Sequence, residues 1–196
     1  MEHIRYFLGV VNVIVVPLGL VYWSVIHAWA RWWRRWGPLR TYLVVLPVLA
    51  ALGALLFQSR ALLLGADLGT NWTLIAIALL LCGPMTWLEF QYRKQLSISM
   101  LVGIPELSRR RTDRLLRDGI YSVVRHPRYL SAGIGMMAAL LIVNYLGLYI
   151  LVTASLLPGY LMLVLEERDL IDRFGDAYRE YQRNVPRLVP RLRRRS

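Results

Sequence analysis

From Leu130 to Leu165 the chain carries no acidic, basic or imidazole side chain across about 36 residues. As a single helix this run would rise about 54 Å, whereas a bilayer hydrocarbon layer is about 30 Å thick. The chain therefore has to fold back within it. Asn144-Tyr145-Leu146-Gly147 is the polar, turn-compatible interruption where it can do so. Three further apolar blocks are long enough to cross, Tyr6–Ala30, Thr41–Phe57 and Trp72–Phe90. The expected architecture is an all-α integral membrane domain over residues 1–196, with about five spans near 6–30, 41–57, 72–90, 128–143 and 147–165. A basic cytoplasmic helix and tail follow over 166–196. Composition agrees: 57% of residues are hydrophobic and 18% charged, against about 25% charged in an average soluble domain.

Charge gives a second test of the spans, because short cytoplasmic loops collect Lys and Arg. Of 24 basic residues, four lie in Arg31–Arg40, nine in Arg93–Arg128 and nine in Arg168–Arg195, leaving Arg5 and Arg60 for the other side. That alternation predicts an outside N-terminus and a cytoplasmic C-terminus; the membrane is expected to be the inner membrane of a bacterium or archaeon. The net charge of +12 then belongs beside anionic headgroups rather than on nucleic acid, and the tryptophans of WARWWRRWG favour the interface. Ala28-Trp29-Ala30 formally fits a signal cleavage pattern, but the apolar block before it is too long and the arginines after it read as a topology signal. Cys82 is the single cysteine and sits in an apolar span, which excludes a disulfide framework or a cysteine metal site. No CxxC, HExxH, GxSxG or P-loop pattern occurs, and no metal is expected.

Two polar segments hold the remaining chemistry. In RRRTDRLLRDGIYSVVRHPRYLSAG, Pro127 suits the first turn of the fourth span, where a missing N–H costs nothing, and places His126 at the helix cap. The free amides and positive end of that helix suit an anionic ligand group, with Arg125 or Arg128 as further donors. Interface anchoring by the same arginines, His126 and Tyr129 is the plainer alternative. The second segment begins with Glu166 and Glu167 at the edge of the fifth span, where carboxylates usually have a partner or a function. Glu167, Asp169, Asp172 and Arg173 also read as an ordinary charged helix surface, as do Glu89 and Arg93 at the end of the third span.

The ordered set Gly119-Ile120-Tyr121, Arg125-His126-Pro127-Arg128-Tyr129, a helical hairpin, Glu166-Glu167, Phe174-Gly175-Asp176-Ala177-Tyr178-Arg179-Glu180-Tyr181 and Val185-Pro186 resembles the isoprenylcysteine carboxyl methyltransferase and phospholipid methyltransferase superfamily. The resemblance covers about residues 106–190. It implies a membrane methyltransferase with S-adenosyl-L-methionine as cofactor, held by Glu106, Asp113, Arg114, Leu115, Leu116, Tyr121, His126, Pro127, Arg128, Tyr129 and Glu166. The residue types suit that ligand, since a zwitterionic tail needs donors and acceptors and a sulfonium is favoured near carboxylate or aromatic faces.

Two positions depart from the family pattern. Glu106 stands where eukaryotic carboxyl methyltransferases have glutamine, and Met162 where they carry the arginine that meets the substrate carboxylate. A prenylcysteine carboxylate would then have to find its counter-charge at Arg125, Arg168 or Arg183. A protonated amine acceptor would need a base, for which Glu167 is the candidate. The acceptor is expected to be a lipophilic small molecule or a lipid. The alternatives to carboxyl-type transfer are phospholipid amine N-methylation, a sterol-reductase-like membrane oxidoreductase and a non-catalytic membrane protein.

Overall fold

The computed structural model describes residues 1–96 and 114–190. Among them the regular structure is helical: α1 (Glu2–Ala28), α2 (Ala30–Trp36), α3 (Pro38–Gln58), α4 (Arg60–Leu64), α5 (Trp72–Arg93), a 3-10 turn (Gly119–Ser122), α6 (Pro127–Val143), α7 (Leu146–Phe174) and α8 (Asp176–Asn184). Helices α1, α3, α5 and α7 are long and apolar enough to cross a membrane, while α6 is apolar with 17 residues. This is an all-α integral membrane protein. Prolines 17, 47, 84 and 158 lie inside the long helices, which spans tolerate because neighbouring groups re-satisfy the freed backbone.

The helix ends differ from the sequence reading in two informative places. The first apolar block breaks at Trp29, so that the tryptophan-rich stretch forms its own short helix α2, with Trp33 Nε1 donating to the Val25 carbonyl at 3.0 Å. The last apolar helix continues to Phe174, about two turns past Leu165. Its polar end therefore projects as a rigid extension of α7 rather than as a separate tail.

Helix α5 packs along α6, and α1 packs against α3, α6 and α7. Large apolar side chains such as Leu62, Leu80, Ile150 and Leu157 remain exposed on the outside of the bundle, where lipid would cover them. Glu89 and Arg93 pair on the α5 surface, as their spacing implies, with Arg93 Nε at 2.9 Å from Oε1.

One end of the bundle is closed by a polar knot around Arg5, which is 1% exposed. Its guanidinium donates to the Val143 carbonyl at 3.1 Å, to Thr70 Oγ1 at 3.2 Å and to Asp67. Asn144, in the left-handed region at φ 49°, donates to the Gly69 carbonyl at 2.9 Å and accepts from Tyr149 Oη at 2.9 Å. The backbone joins the same elements, with Leu68 N on the Asn144 carbonyl and Leu146 N on the Ala66 carbonyl. Burial of Asp67 opposes ionisation, but the Gly69 amide and Arg5 outweigh it and hold its carboxyl below the usual value.

Gly147 permits this closure. A Cβ built there would lie 1.7 Å from the Leu63 carbonyl oxygen and 2.7 Å from that of Leu64, both backbone atoms that cannot swing aside. Gly147→Ala is therefore expected to destabilise the protein by about 1–3 kcal/mol or more through overpacking. Gly159→Ala, where a Cβ meets nothing within 4 Å, should leave the midpoint of thermal unfolding in detergent nearly unchanged. Equal midpoints for the two variants would show that the α4–α7 contact yields without cost.

Candidate functional site

At the other end of the bundle, the 3-10 turn and the start of α6 set the site. Gly119 adopts φ 57°, a conformation open to glycine at little cost, and Ser122 Oγ closes the turn on the Gly119 carbonyl at 2.7 Å. Pro127 opens α6 at its first position, with His126 as the capping residue and no side-chain cap bond. The Arg125 and His126 amides instead donate to the carbonyls of Pro186 at 2.9 Å and Arg187 at 3.1 Å. The chain after α8 is thereby fastened to the chain before α6. Gly175, at φ 60°, turns α8 back, so that Tyr178, Tyr181 and Val185 pack with Leu115, Leu170, Ile171 and Phe174.

Glu167 holds these pieces together. Its Oε1 accepts from Arg125 Nε at 3.0 Å, Arg125 Nη2 at 2.7 Å and His126 Nε2 at 3.1 Å, and its Oε2 accepts from Arg187 Nη2 at 2.5 Å. Arg125 Nη1 also donates to the Gln182 carbonyl at 2.9 Å. An ionised carboxylate only accepts, so His126 carries its hydrogen on Nε2. This corrects the expectation that Glu167 acts as a general base. Its oxygens are engaged by two guanidiniums and an imidazole, and it does not line the cavity described below. The charged-surface expectation is corrected as well: Glu167 and Asp169 are buried, and Asp169 pairs with Arg34 of α2 besides Arg173 at 3.7 Å.

Between these elements lies a cavity of about 300 Å³, at the lower end of the size range of small-molecule sites. Arg114, Leu115, Leu116, Tyr121, His126, Pro127, Arg128, Tyr129 and Glu166 all line it. Glu106 and Asp113 lie outside the described residues. Of the expected acceptor-side residues, Arg125 and Met162 line the cavity, although the Arg125 guanidinium is committed to Glu167. Arg168 lines a different cavity and Arg183 lines neither, so their expected role as counter-charges in this site is not supported by their placement.

Sequence reasoning missed Trp23 and His27 on α1 and the wall formed by Leu170, Arg173, Phe174, Tyr178 and Tyr181. For His27 a signal existed, because an ionisable residue within an apolar span is a functional candidate by default. For Phe174, Tyr178 and Tyr181 the signal was their place in the ordered motifs that carry the resemblance, which assigned them no role.

The wall is built for a ligand with both polar and apolar parts. Leu96, Leu115, Leu116, Leu170 and Phe174 supply apolar surface, and Glu166, with a side chain 27% exposed, supplies a carboxylate. Tyr178 Oη and His27 Nδ1 are buried without a hydrogen-bond partner. Such groups are costly to leave unpaired and are the kind a bound molecule satisfies. Burial, and next the Glu166 carboxylate, pushes the Tyr121 phenol above its ordinary value; burial, and next Glu167, does the same to Tyr178. Both remain neutral hydrogen-bonding groups at physiological pH. The electrostatic pattern is a fixed carboxylate with neutral phenols, next to Arg128 stacked 4.6 Å over the Trp23 ring.

This arrangement, a helical membrane bundle with a mixed polar and apolar cavity at one end, has counterparts among known proteins. The family model for phospholipid methyltransferases matches residues 72–177, more than half of the chain. The chain belongs to that family. It is 41% identical over 71 residues to methanethiol S-methyltransferase 1 of Bradyrhizobium diazoefficiens, covering 36% of this chain and 24% of that protein. It is 40% identical over 76 residues to methanethiol S-methyltransferase of Pseudomonas deceptionensis, covering 38% and 28%. It is 33% identical over 85 residues to protein-S-isoprenylcysteine O-methyltransferase of Schizosaccharomyces pombe, covering 42% and 36%. These matches thus span about a quarter to a third of the curated relatives. No solved structure matches significantly.

Glu167→Gln is expected to loosen the fastening of residues 185–187, because removing one partner of a buried ion pair costs about 3–5 kcal/mol. Arg179→Ala, which breaks only the exposed pair with Asp176, should change stability by less than about 1 kcal/mol. Limited proteolysis around Val185–Arg187 together with thermal unfolding checks both. Equal protection in the two variants would remove Glu167 from this role.

Proposed function

We propose that this protein is a methyltransferase that binds S-adenosylmethionine in the cavity and methylates a lipophilic acceptor reaching it from the bilayer. The observation that carries this reading is the convergence on one cavity of Arg114–Leu116, Tyr121, His126–Tyr129 and Glu166, segments separated in sequence but gathered by α7 and the Glu167 clamp. When bound, the cofactor supplies an electrophilic methyl group on a sulfonium. The chain's part is to hold and orient. Glu166 and Tyr178 Oη offer an acceptor and a hydroxyl to the cofactor's polar groups, and Leu115, Leu116 and Phe174 offer apolar surface to its adenine. Burial between α1, α6 and α7 keeps water from the transfer, which depends on holding the reacting atoms about 3–3.5 Å apart.

The acceptor side is apolar where the prenylcysteine enzymes would place a cation: Met162, on α7 one turn before Glu166, is 8% exposed. That favours a neutral acceptor over a carboxylate, and the relatives named for methanethiol carry out their chemistry on sulfur. Phospholipid amine N-methylation is the second reading, favoured by the matched family's name. The basic residues support an orientation with the N-terminus outside and the cavity facing the cytoplasm, since the Arg5 knot closes the opposite end.

Calorimetric titration with S-adenosylhomocysteine tests the cofactor reading. Binding by the purified protein is expected, weakened about ten- to a hundredfold in Glu166→Gln, corresponding to a charge-assisted hydrogen bond of about 1.5–3 kcal/mol. No binding by the unsubstituted protein would overturn it. Orientation is read by labelling intact cells carrying Leu68→Cys or Arg179→Cys in a Cys82→Ala background. The first should react with an impermeant maleimide from outside and the second should not, and the reverse pattern would place the cavity on the wrong side for a cytoplasmic cofactor.

A further inference from the structure

A second cavity, of about 250 Å³, lies between the α1–α2 elbow and the polar end of α7. Trp29, Trp32, Leu165 and Arg168 are among its walls. Trp29 and Trp32 also face outward, at 58% and 42% exposure, as residues at a membrane entrance would. Among the described residues, His27 alone lines both this cavity and the first.

His27 is 6% exposed, and its Nδ1 has no hydrogen-bond partner. Its ring stacks on Trp23, with centroids 5.4 Å apart and planes 18° apart, which fixes the plane without satisfying a nitrogen. The charged groups around it are Glu166, Asp169 and Arg173 on α7 and Arg128 on α6. Asp169 pairs with Arg34 and Arg173, and Arg128 stacks over Trp23, while the Glu166 carboxylate stands 3.9 Å from His126 Nδ1, beyond hydrogen-bond reach. An imidazole held in place, buried and unpartnered between two cavities is a group waiting for a ligand proton.

We propose that His27 is a catalytic residue on the acceptor side, receiving the proton of a neutral apolar thiol that enters through the second cavity. This rests on the methyltransferase reading above. The thiol S–H bond breaks, its proton passes to the imidazole, and the electron pair stays on sulfur. That pair forms the new S–C bond to the donated methyl as the sulfonium's C–S bond breaks, its electrons remaining on the departing thioether. The imidazolium then returns its proton to solvent.

The match is one of chemistry as well as position. A neutral thiol becomes an effective nucleophile on losing its proton to a neutral base, whereas an alkylammonium would first have to bring a full positive charge into a buried site. A carboxylate acceptor has no proton to give and would need the cation that Met162 does not supply.

The test uses full-length protein in detergent, unsubstituted and with His27→Gln or His27→Phe. S-adenosylhomocysteine affinity is measured first, and sets the concentration at which each variant is fully loaded. On protein loaded with that ligand, calorimetry should show the unsubstituted chain preferring a long alkyl thiol over the methyl thioether of equal length, with the preference lost in His27→Phe. Turnover of the alkyl thiol should fall by about a hundredfold or more in His27→Gln. Turnover of an electron-poor aryl thiol, already ionised at neutral pH, should fall less than about tenfold. Unchanged alkyl-thiol turnover, or equal losses on the two thiols at saturating methyl donor, would overturn the base role alone. Absence of homocysteine-ligand binding in the unsubstituted protein would overturn the cofactor reading and the His27 proposal together.

Discussion

The candidate site depends on one buried carboxylate. Glu167 sits on a helix that has already left the apolar stretch, and its two oxygens take bonds from Arg125 and His126 at the start of α6 and from Arg187 beyond α8. Removing ionic groups from water is expensive, and mutual attraction offsets this only when every lone pair and proton is matched. Here the matching is nearly complete, since Arg125 also satisfies the Gln182 and Val185 carbonyls. The consequence is positional. Residues that share no secondary structure are locked around a cavity whose walls can then be small, mixed and pre-shaped.

The opposite end uses the same device with a different purpose. Arg5 and Asn144 there join the start of α1, the 65–71 loop and the α6–α7 turn, and Gly147 lets the backbones meet. Two polar knots thus bracket an apolar bundle whose outer faces are left for lipid. Within a bilayer, where unsatisfied polar groups cost several kcal/mol each, such self-contained knots are how irregular chain is tolerated at helix ends.

The proposed function also separates two tasks. On that reading the cofactor contacts come from residues 114–121 and from α6, α7 and α8, within or just beyond the family match at residues 72–177. The acceptor side combines Met162 of α7 with His27 of α1, and α1 lies outside that match. A scaffold divided in this way can keep its cofactor chemistry while changing its acceptor by substitution at a few positions, and Met162 together with His27 is where this chain would express such a change.

The sequence by itself determined the helical membrane class, the fold-back near Asn144 and the polar segments that matter, because hydrocarbon thickness and charge cost act on local composition. The family resemblance pointed to Glu106, Asp113–Leu116, Tyr121, His126–Tyr129 and Glu166 as a set, and those among residues 114–166 line one cavity. It assigned Glu166 to the cofactor but gave no physical reason for Glu167 to differ as it does. The two are adjacent, and only the rotation of α7 decides that one faces the cavity while the other is enclosed by Arg125, His126 and Arg187. Nor could it bring His27 to the cavity, or show Asp169 paired to Arg34 across 135 residues. Those relations depend on helix packing, in which contacts are set by which faces meet in three dimensions and leave no periodic trace along the chain.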